Sequence, residues 1–301
     1  MKLTILGCFS ATPRTFNNPT SQLLEVKGNL FLIDCGEGTQ VQLRKQKIKF
    51  SRIKHIFISH LHGDHFYGLP GLISTFHLLG REAELNIYGP KGIEEAIKLL
   101  LKLSNSWIDF PLIFHELTSK DSELILENEK VEVRTIPLDH RVYTNGFLFK
   151  EKEGERKLDI AKVLNYDIDK AYYQKIKKGK DITLDNGEVV KNDEITLDPM
   201  PSKSYAFCSD TRYKRDVIPL IKNVNVLYHE STFLEEHQHL AVKTKHSTAK
   251  EAAQIAKDAT VETLILGHYS TRYGDLECFK EEAKQVFEAV ELADDGKEFD
   301  F

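Results

Sequence analysis

Lys54-His55-Ile56-Phe57-Ile58-Ser59-His60-Leu61-His62-Gly63-Asp64-His65 joins two kinds of sequence. Its first half is the apolar run of a buried strand. Its second half holds four potential metal ligands, His60, His62, Asp64 and His65. The ligands begin where the strand ends, and α/β folds assemble their sites on the loops at the carboxyl ends of strands. Four such groups so close together cannot all face one tetrahedral ion. They can divide between two adjacent ions, with Gly63 letting the backbone turn sharply. The chain has only 12 histidines in 301 residues, so three beside an aspartate are no accident of composition.

Two ions need more ligands, and three appear in the same context. The strand-like run Val131–Ile136 leads to Pro137-Leu138-Asp139-His140, Tyr205–Cys208 leads through Ser209 to Asp210, and Leu264–Leu266 leads through Gly267 to His268. Imidazole and carboxylate are suitable zinc ligands, and a carboxylate can bridge two ions with its two oxygens. His55, His77, His115, His237 and His239 lack that placement and read as structural or surface residues.

Working outward, short apolar runs bounded by Gly, Pro, Asn or Asp predict strands at Leu3–Leu6, Gln22–Val26, Leu30–Ile33, His55–Ile58, Leu85–Tyr88, Val131–Ile136, Phe147–Phe149, Tyr205–Cys208, Val224–Tyr228 and Leu264–Leu266. Apolar residues at three- and four-residue spacing predict helices over Gly38–Gln46, Leu69–Leu79, Ile93–Leu103, Ser247–Lys257 and Phe279–Val290. Ser247 is placed to cap the fourth of these, with Glu251 close behind. Hairpins followed by strand–helix alternation, twice over, imply an α/β sandwich. Residues 150–203 break the rhythm. They are dense in charge, include Lys175, Lys177, Lys178 and Lys180, and read as an arm inserted into a single domain spanning residues 1–301.

Composition narrows the classes. A hydrophobic content of 41% suits a soluble globular protein, and no run approaches the roughly 20 apolar residues of a membrane span. A cytoplasmic location is the default expectation. Cys8, Cys35, Cys208 and Cys278 show no paired spacing and read as buried free thiols. The net charge of −5 excludes a globally basic nucleic-acid binder, so phosphate contacts must come from a local patch or a metal.

With these residues in hand, the sequence resembles the ribonuclease Z family, tRNA 3′-end endonucleases of the metallo-β-lactamase superfamily, over nearly its whole length. The resemblance is carried by Asp34-Cys35-Gly36-Glu37-Gly38-Thr39-Gln40, the His60–His65 motif, Pro137–His140, Ser209–Arg212, His229-Glu230-Ser231-Thr232-Phe233, His246-Ser247-Thr248-Ala249 and Gly267–Tyr273. It implies a four-layer αββα sandwich with a protruding arm, and a homodimer in which one subunit's arm serves the other's site. It implies two Zn2+ per subunit, one held by His60, His62, His140 and Asp210, the other by Asp64, His65, Asp210 and His268. Glu230 and His246 match positions near the leaving group, the arm matches a tRNA-gripping exosite, and Arg272 joins the arm lysines as a substrate contact. Two stretches depart from the family: Gly7–Pro13 is less glycine-rich, and Tyr166–Tyr173 replaces a Gly/Pro-containing tip.

The expected reaction is removal of the 3′ trailer from tRNA precursors by activated water, with Asp64 as proton acceptor and His246, positioned by Glu230, as general acid. A hydrolase of a small phosphodiester, sulfate ester or thioester is the rival on the same fold, because activated water is common to all of them. A non-catalytic RNA-binding protein is the other rival, and full retention of the ligand set argues against it.

Overall fold

The computed structural model describes residues 1–12 and 14–301; Pro13, which closes the stretch Gly7–Pro13, lies outside them. The chain divides into two units, Met1–Lys150 with Lys203–Phe301, and Glu151–Ser202.

In the first unit the chain runs through β1 (Lys2–Gly7), β2 (Ser21–Val26), β3 (Asn29–Ile33), α1 (Thr39–Lys45), β4 (Ile53–Phe57), α2 (Gly63–Phe66), α3 (Leu69–Leu78), β5 (Leu85–Pro90), α4 (Ile93–Leu103), β6 (Leu112–Leu117), β7 (Leu124–Glu127), β8 (Val131–Pro137) and β9 (Asn145–Glu151). The second unit holds β10 (Lys157–Leu158), α5 (Ile160–Asn165), α6 (Tyr173–Lys177), β11 (Ile182–Thr183), β12 (Val189–Val190), α7 (Asn192–Ile195) and β13 (Thr196–Leu197). The chain then completes the first unit with β14 (Ser204–Cys208), β15 (Val226–Glu230), α8 (Gln238–Thr244), α9 (Ala249–Asp258), β16 (Thr263–Gly267), α10 (Glu277–Lys284), β17 (Val290–Leu292) and β18 (Glu298–Asp300).

Two seven-stranded sheets result, ordered β18-β1-β2-β3-β4-β5-β6 and β17-β16-β15-β14-β9-β8-β7. Strand alternation decides which side chains lie between them. In β3, Phe31 and Ile33 face the second sheet, whereas Leu30 and Leu32 face α1, α3 and α4. Ring contacts close the inner layer: Phe31 meets Phe149 at 5.5 Å, and Phe57 meets Phe147 and Phe149 at 5.3 Å. On the far side, α9 packs on β15 and β16, and α10 on β17. The layers are helix, sheet, sheet, helix, as the sequence implied.

The second unit has a small core of its own, Val163, Ile168, Ile176, Ile182, Val190 and Ile195, beneath ladders β10–β13 and β11–β12. The Asn192 amide donates to the carbonyls of Ile176 (2.7 Å) and Lys180 (3.0 Å), tying the end of α6 to α7.

Four expectations change. The helix predicted over Phe279–Val290 ends at Lys284, because Val290–Leu292 pairs in parallel with Leu264–Leu266 and becomes an edge strand. Thr248, not Ser247, caps α9: the Thr248 hydroxyl accepts from Glu251 N, and Glu251 Oε2 accepts from Thr248 N (2.9 Å). A capping box needs a three-residue spacing, which Thr248 has and Ser247 lacks. Strands β6, β7, β17 and β18 were not foreseen, since each is a sheet edge or its neighbour with weak alternation. Finally, Gly63 does not adopt a positive φ. It is small because a Cβ there would lie 2.3 Å from the Tyr67 ring.

Candidate metal centre

His60 and His62 lie in the loop after β4, Asp64 and His65 in α2 that follows it, and His140, Asp210 and His268 beyond the ends of β8, β14 and β16, where tight turns are visible in the backbone. Asp34 after β3, Asp210 after β14 and His268 after β16 have φ of 56°, 57° and 60°. This left-handed region is sparsely used by residues other than glycine, and such residues concentrate at functional sites.

Hydrogen bonds fix how the imidazoles face. Asp34, fully buried, accepts from Ser59 N (2.7 Å), Ser59 Oγ (2.9 Å) and His65 Nδ1 (2.7 Å). Since the Ser59 hydroxyl spends its proton on Asp34, it accepts from His60 Nδ1 at 3.0 Å. His140 Nδ1 donates to the Lys245 carbonyl at 3.0 Å. Thr232 Oγ1 donates to Glu230 Oε2 at 2.6 Å and so accepts from His268 Nδ1 at 2.9 Å. Four rings thus carry their proton on Nδ1 and turn a bare Nε2 inward, the arrangement that metal-ligating histidines adopt.

Those bare nitrogens converge in two groups. In the first, His62 Nδ1 lies 3.0 Å from His60 Nε2 and 3.3 Å from His140 Nε2. Asp210 Oδ2 is 3.5 and 3.6 Å from the same two Nε2 atoms. In the second, Asp210 Oδ1 lies 3.2 Å from His65 Nε2 and 3.0 Å from His268 Nε2. Asp64 Oδ2 lies 3.4 and 3.5 Å from these. Asp210 gives one oxygen to each group.

The donor set fits cations. His65 Nε2 and His268 Nε2 are buried without a hydrogen-bond partner, although carboxylate oxygens are near enough for an ion pair. Two acceptors held face to face need a positive charge between them. The same demand shows in the electrostatics. Burial opposes a charged His65 ring, yet Asp210, Asp64 and Asp34 raise its pKa well above the ordinary value. Burial also works against ionised Asp210, but His268, His65 and His60 hold its pKa well below the usual carboxylate range.

Glu230 and His246 stand beside these groups. Glu230 Oε1 accepts from His246 Nδ1 at 2.8 Å and from Thr211 N at 2.9 Å. Burial disfavours the charged His246 ring, but the Glu230 carboxylate outweighs it and raises the pKa to about 9. The His246 ring stacks on His268, with centroids 5.3 Å apart. His246 lines a cavity of about 410 Å³ with His62, Asp64, Asp210, His268 and Arg141.

All seven sequence-predicted ligands are therefore brought together, and Glu230 and His246 with them. Arg272 is exposed, its guanidinium 6.0 Å from the centroid of Phe233, a residue of the cavity wall. Lys175, Lys177, Lys178 and Lys180 belong to the second unit, in and after α6, where Lys175 lies over the Tyr172 ring at 5.8 Å. The histidines set aside have other neighbours: His115 bonds Asn86 (2.8 Å), His237 bonds the Tyr273 hydroxyl (2.9 Å), and His55 lies between Phe31 and Tyr88. Sequence reasoning missed Asp34, Thr232 and Arg141. Asp34 and Thr232 lie inside the motifs that carry the family resemblance, and Arg141 directly follows His140.

The chain is similar to known proteins over half or nearly all of its length. The family model described as anti-Pycsar protein Apyc1 matches residues 1–152, which include His60–His65 and His140 but not Asp210, Glu230, His246 or His268. Ribonuclease Z of Bacteroides thetaiotaomicron is 45% identical over 97% of this chain and 92% of its own length. The crystal structure of human tRNase Z, short form, aligns over 100% of this chain and 99% of its own, with a TM-score of 0.72 and 27% identity. The metallo-β-lactamase fold protein YhfI from Bacillus subtilis, 19% identical, aligns over 99% of each chain with a TM-score of 0.70 and shares the fold.

Proposed function

The chain belongs to the ribonuclease Z family, and from that premise we propose that it is a zinc-dependent endoribonuclease removing the 3′ trailer from tRNA precursors. One observation carries the reading: two donor groups meet on the two oxygens of Asp210, beside a buried Glu230 paired with a half-buried His246 that lines the same cavity. That is the equipment for hydrolysing a phosphodiester with a poor leaving group. It needs a charge-neutralising floor and a proton donor.

His60, His62, His140 and Asp210 would hold one Zn2+, and Asp64, His65, Asp210 and His268 the second. When bound, the ions supply Lewis acidity toward the phosphate and toward water. The chain's own groups do the rest. Asp64 accepts the proton of the attacking water. His246 holds a proton on each nitrogen, one committed to Glu230, and delivers the Nε2 proton to the departing ribose 3′-oxygen. The new bond joins water oxygen to phosphorus and the broken one is P–O3′, leaving a 3′-hydroxyl on the tRNA and a 5′-phosphate on the trailer. The unit Glu151–Ser202, with Lys175, Lys177, Lys178 and Lys180, is proposed as the tRNA-gripping arm, since clustered lysines bind RNA phosphates without reading sequence. A homodimer and a cytoplasmic location complete the proposal; no helix among the described residues is long and apolar enough to cross a membrane.

The test is His246→Ala. Zinc content stays at the wild-type level, and cleavage of a 3′-extended pre-tRNA falls by about 10²–10⁴-fold. Loss of zinc in that variant would contradict the assigned role.

A further inference from the structure

Three cations gather about the His140 loop, and two of them are committed. Arg212 closes on Asp139 Oδ2 at 2.6 Å and Lys245 on Asp139 Oδ1 at 2.9 Å. Lys245 also donates to the His140 carbonyl at 3.1 Å, while its own carbonyl accepts from His140 Nδ1 at 3.0 Å. The backbone that leads into Arg141 is therefore held on both sides of the His140 ring.

Arg141 itself is uncommitted. Among the described residues no hydrogen bond or ion pair engages its guanidinium. It is exposed, it lines the cavity of about 410 Å³, and among the described residues it is the only Lys or Arg that does so. The same cavity is lined by His62, Asp64 and Asp210 of the donor groups and by His246, so Arg141 shares it with both the donor groups and the proton donor. Here Asp139 is already neutralised by two other cations, so the guanidinium stays available.

The cavity also has a direction. Asp210 and His268 are buried at its floor, and Arg141 is exposed at its mouth. A phosphodiester seated on the floor turns one non-bridging oxygen outward. We propose that Arg141 is a catalytic residue whose guanidinium contacts that outer oxygen of the scissile phosphodiester and offsets the charge growing on it as water adds. An arginine suits this task because its planar fork can present two N–H donors to one phosphate. The proposal rests on the phosphodiesterase reading of the site, but not on tRNA being the substrate.

The experiment uses the metal-loaded full chain with Arg141→Ala and Arg141→Lys, assayed on bis(p-nitrophenyl) phosphate and on 3′-extended pre-tRNA, with metal content measured in parallel. Arg141→Ala should lower kcat on both substrates by about 10²-fold with metal content unchanged. Arg141→Lys should recover part of the loss, since it keeps the charge but not the fork. A loss confined to pre-tRNA would overturn the proposal, because it would place Arg141 on a neighbouring phosphate that the small diester lacks. Unchanged rates on both substrates, or loss of metal, would overturn it too. A wild-type protein that turns over the small diester and leaves pre-tRNA intact would contradict the ribonuclease reading alone.

Discussion

Asp34 gives no oxygen to either group of donors, yet through His65 it sets the chemistry of one of them. Its carboxylate accepts a hydrogen bond from His65 Nδ1 at 2.7 Å and so turns Nε2 toward Asp210 and Asp64. Burial pushes the Asp34 pKa up, against the opposing pull of His65 and Ser59, so the neighbouring His65 proton is what a charged Asp34 depends on. Replacing Asp34 with Asn keeps the shape but offers His65 a weaker acceptor and a competing donor. Asp34→Asn should weaken zinc binding by about 10–100-fold, measured by competition with a chelating dye. Unchanged affinity would mean that His65 is oriented by packing alone. The seven candidate ligands were legible in the sequence because each follows an apolar strand and each is of a metal-binding type. Asp34 was not singled out, because an aspartate that holds a histidine has no local signature; only the fold brings β3 beside the end of β4.

At the scale of elements, α9 begins three residues after His246, with its cap Thr248 two residues beyond that ring. The reciprocal pair Thr248–Glu251 satisfies two backbone N–H groups that the helix leaves open. Thr248→Ala should cost about 1 kcal/mol of stability, read from the urea midpoint, and Thr248→Ser should restore it. If Thr248→Ala were neutral while Ser247→Ala was not, the cap would be misassigned. Ser247 has a different task, donating to the Thr211 carbonyl at 2.7 Å. Helices whose apolar spacing matched their packing, such as α3 and α4, were legible to within a residue or so. The end of α10 was not, since the apolar residues beyond Lys284 keep helical spacing while Val290 is claimed by pairing with β16. Periodicity cannot see a tertiary partner. The core of the second unit escaped for a similar reason: its six buried residues are spaced among charges, and only folding gathers them.

At the scale of the molecule, α4 is apolar on two sides. Ile93, Ile97 and Leu101 face the sheet, while Leu99, Leu100 and Leu103 are 52%, 47% and 71% exposed, with Trp107 beyond them at 80%. A helix apolar on both sides is usually covered on both. The proposed homodimer would cover it, and Glu94 and Glu95 in the first turn with Lys102 in the last make the helix self-complementary across a two-fold axis. Leu99→Glu with Leu103→Glu should therefore give a folded, metal-binding monomer by light scattering where the wild type is a dimer. A wild-type monomer, or a dimer indifferent to both changes, would contradict that arrangement. The central claim, however, concerns the reaction. Its most direct measurement is to incubate the zinc-loaded protein with a 3′-extended pre-tRNA, with and without chelator, and to determine both ends made by cleavage. The account predicts chelator-sensitive cutting that leaves a 3′-hydroxyl on the tRNA and a 5′-phosphate on the trailer. Intact pre-tRNA, cleavage that survives complete metal removal, or a 3′-phosphate on the tRNA would contradict it.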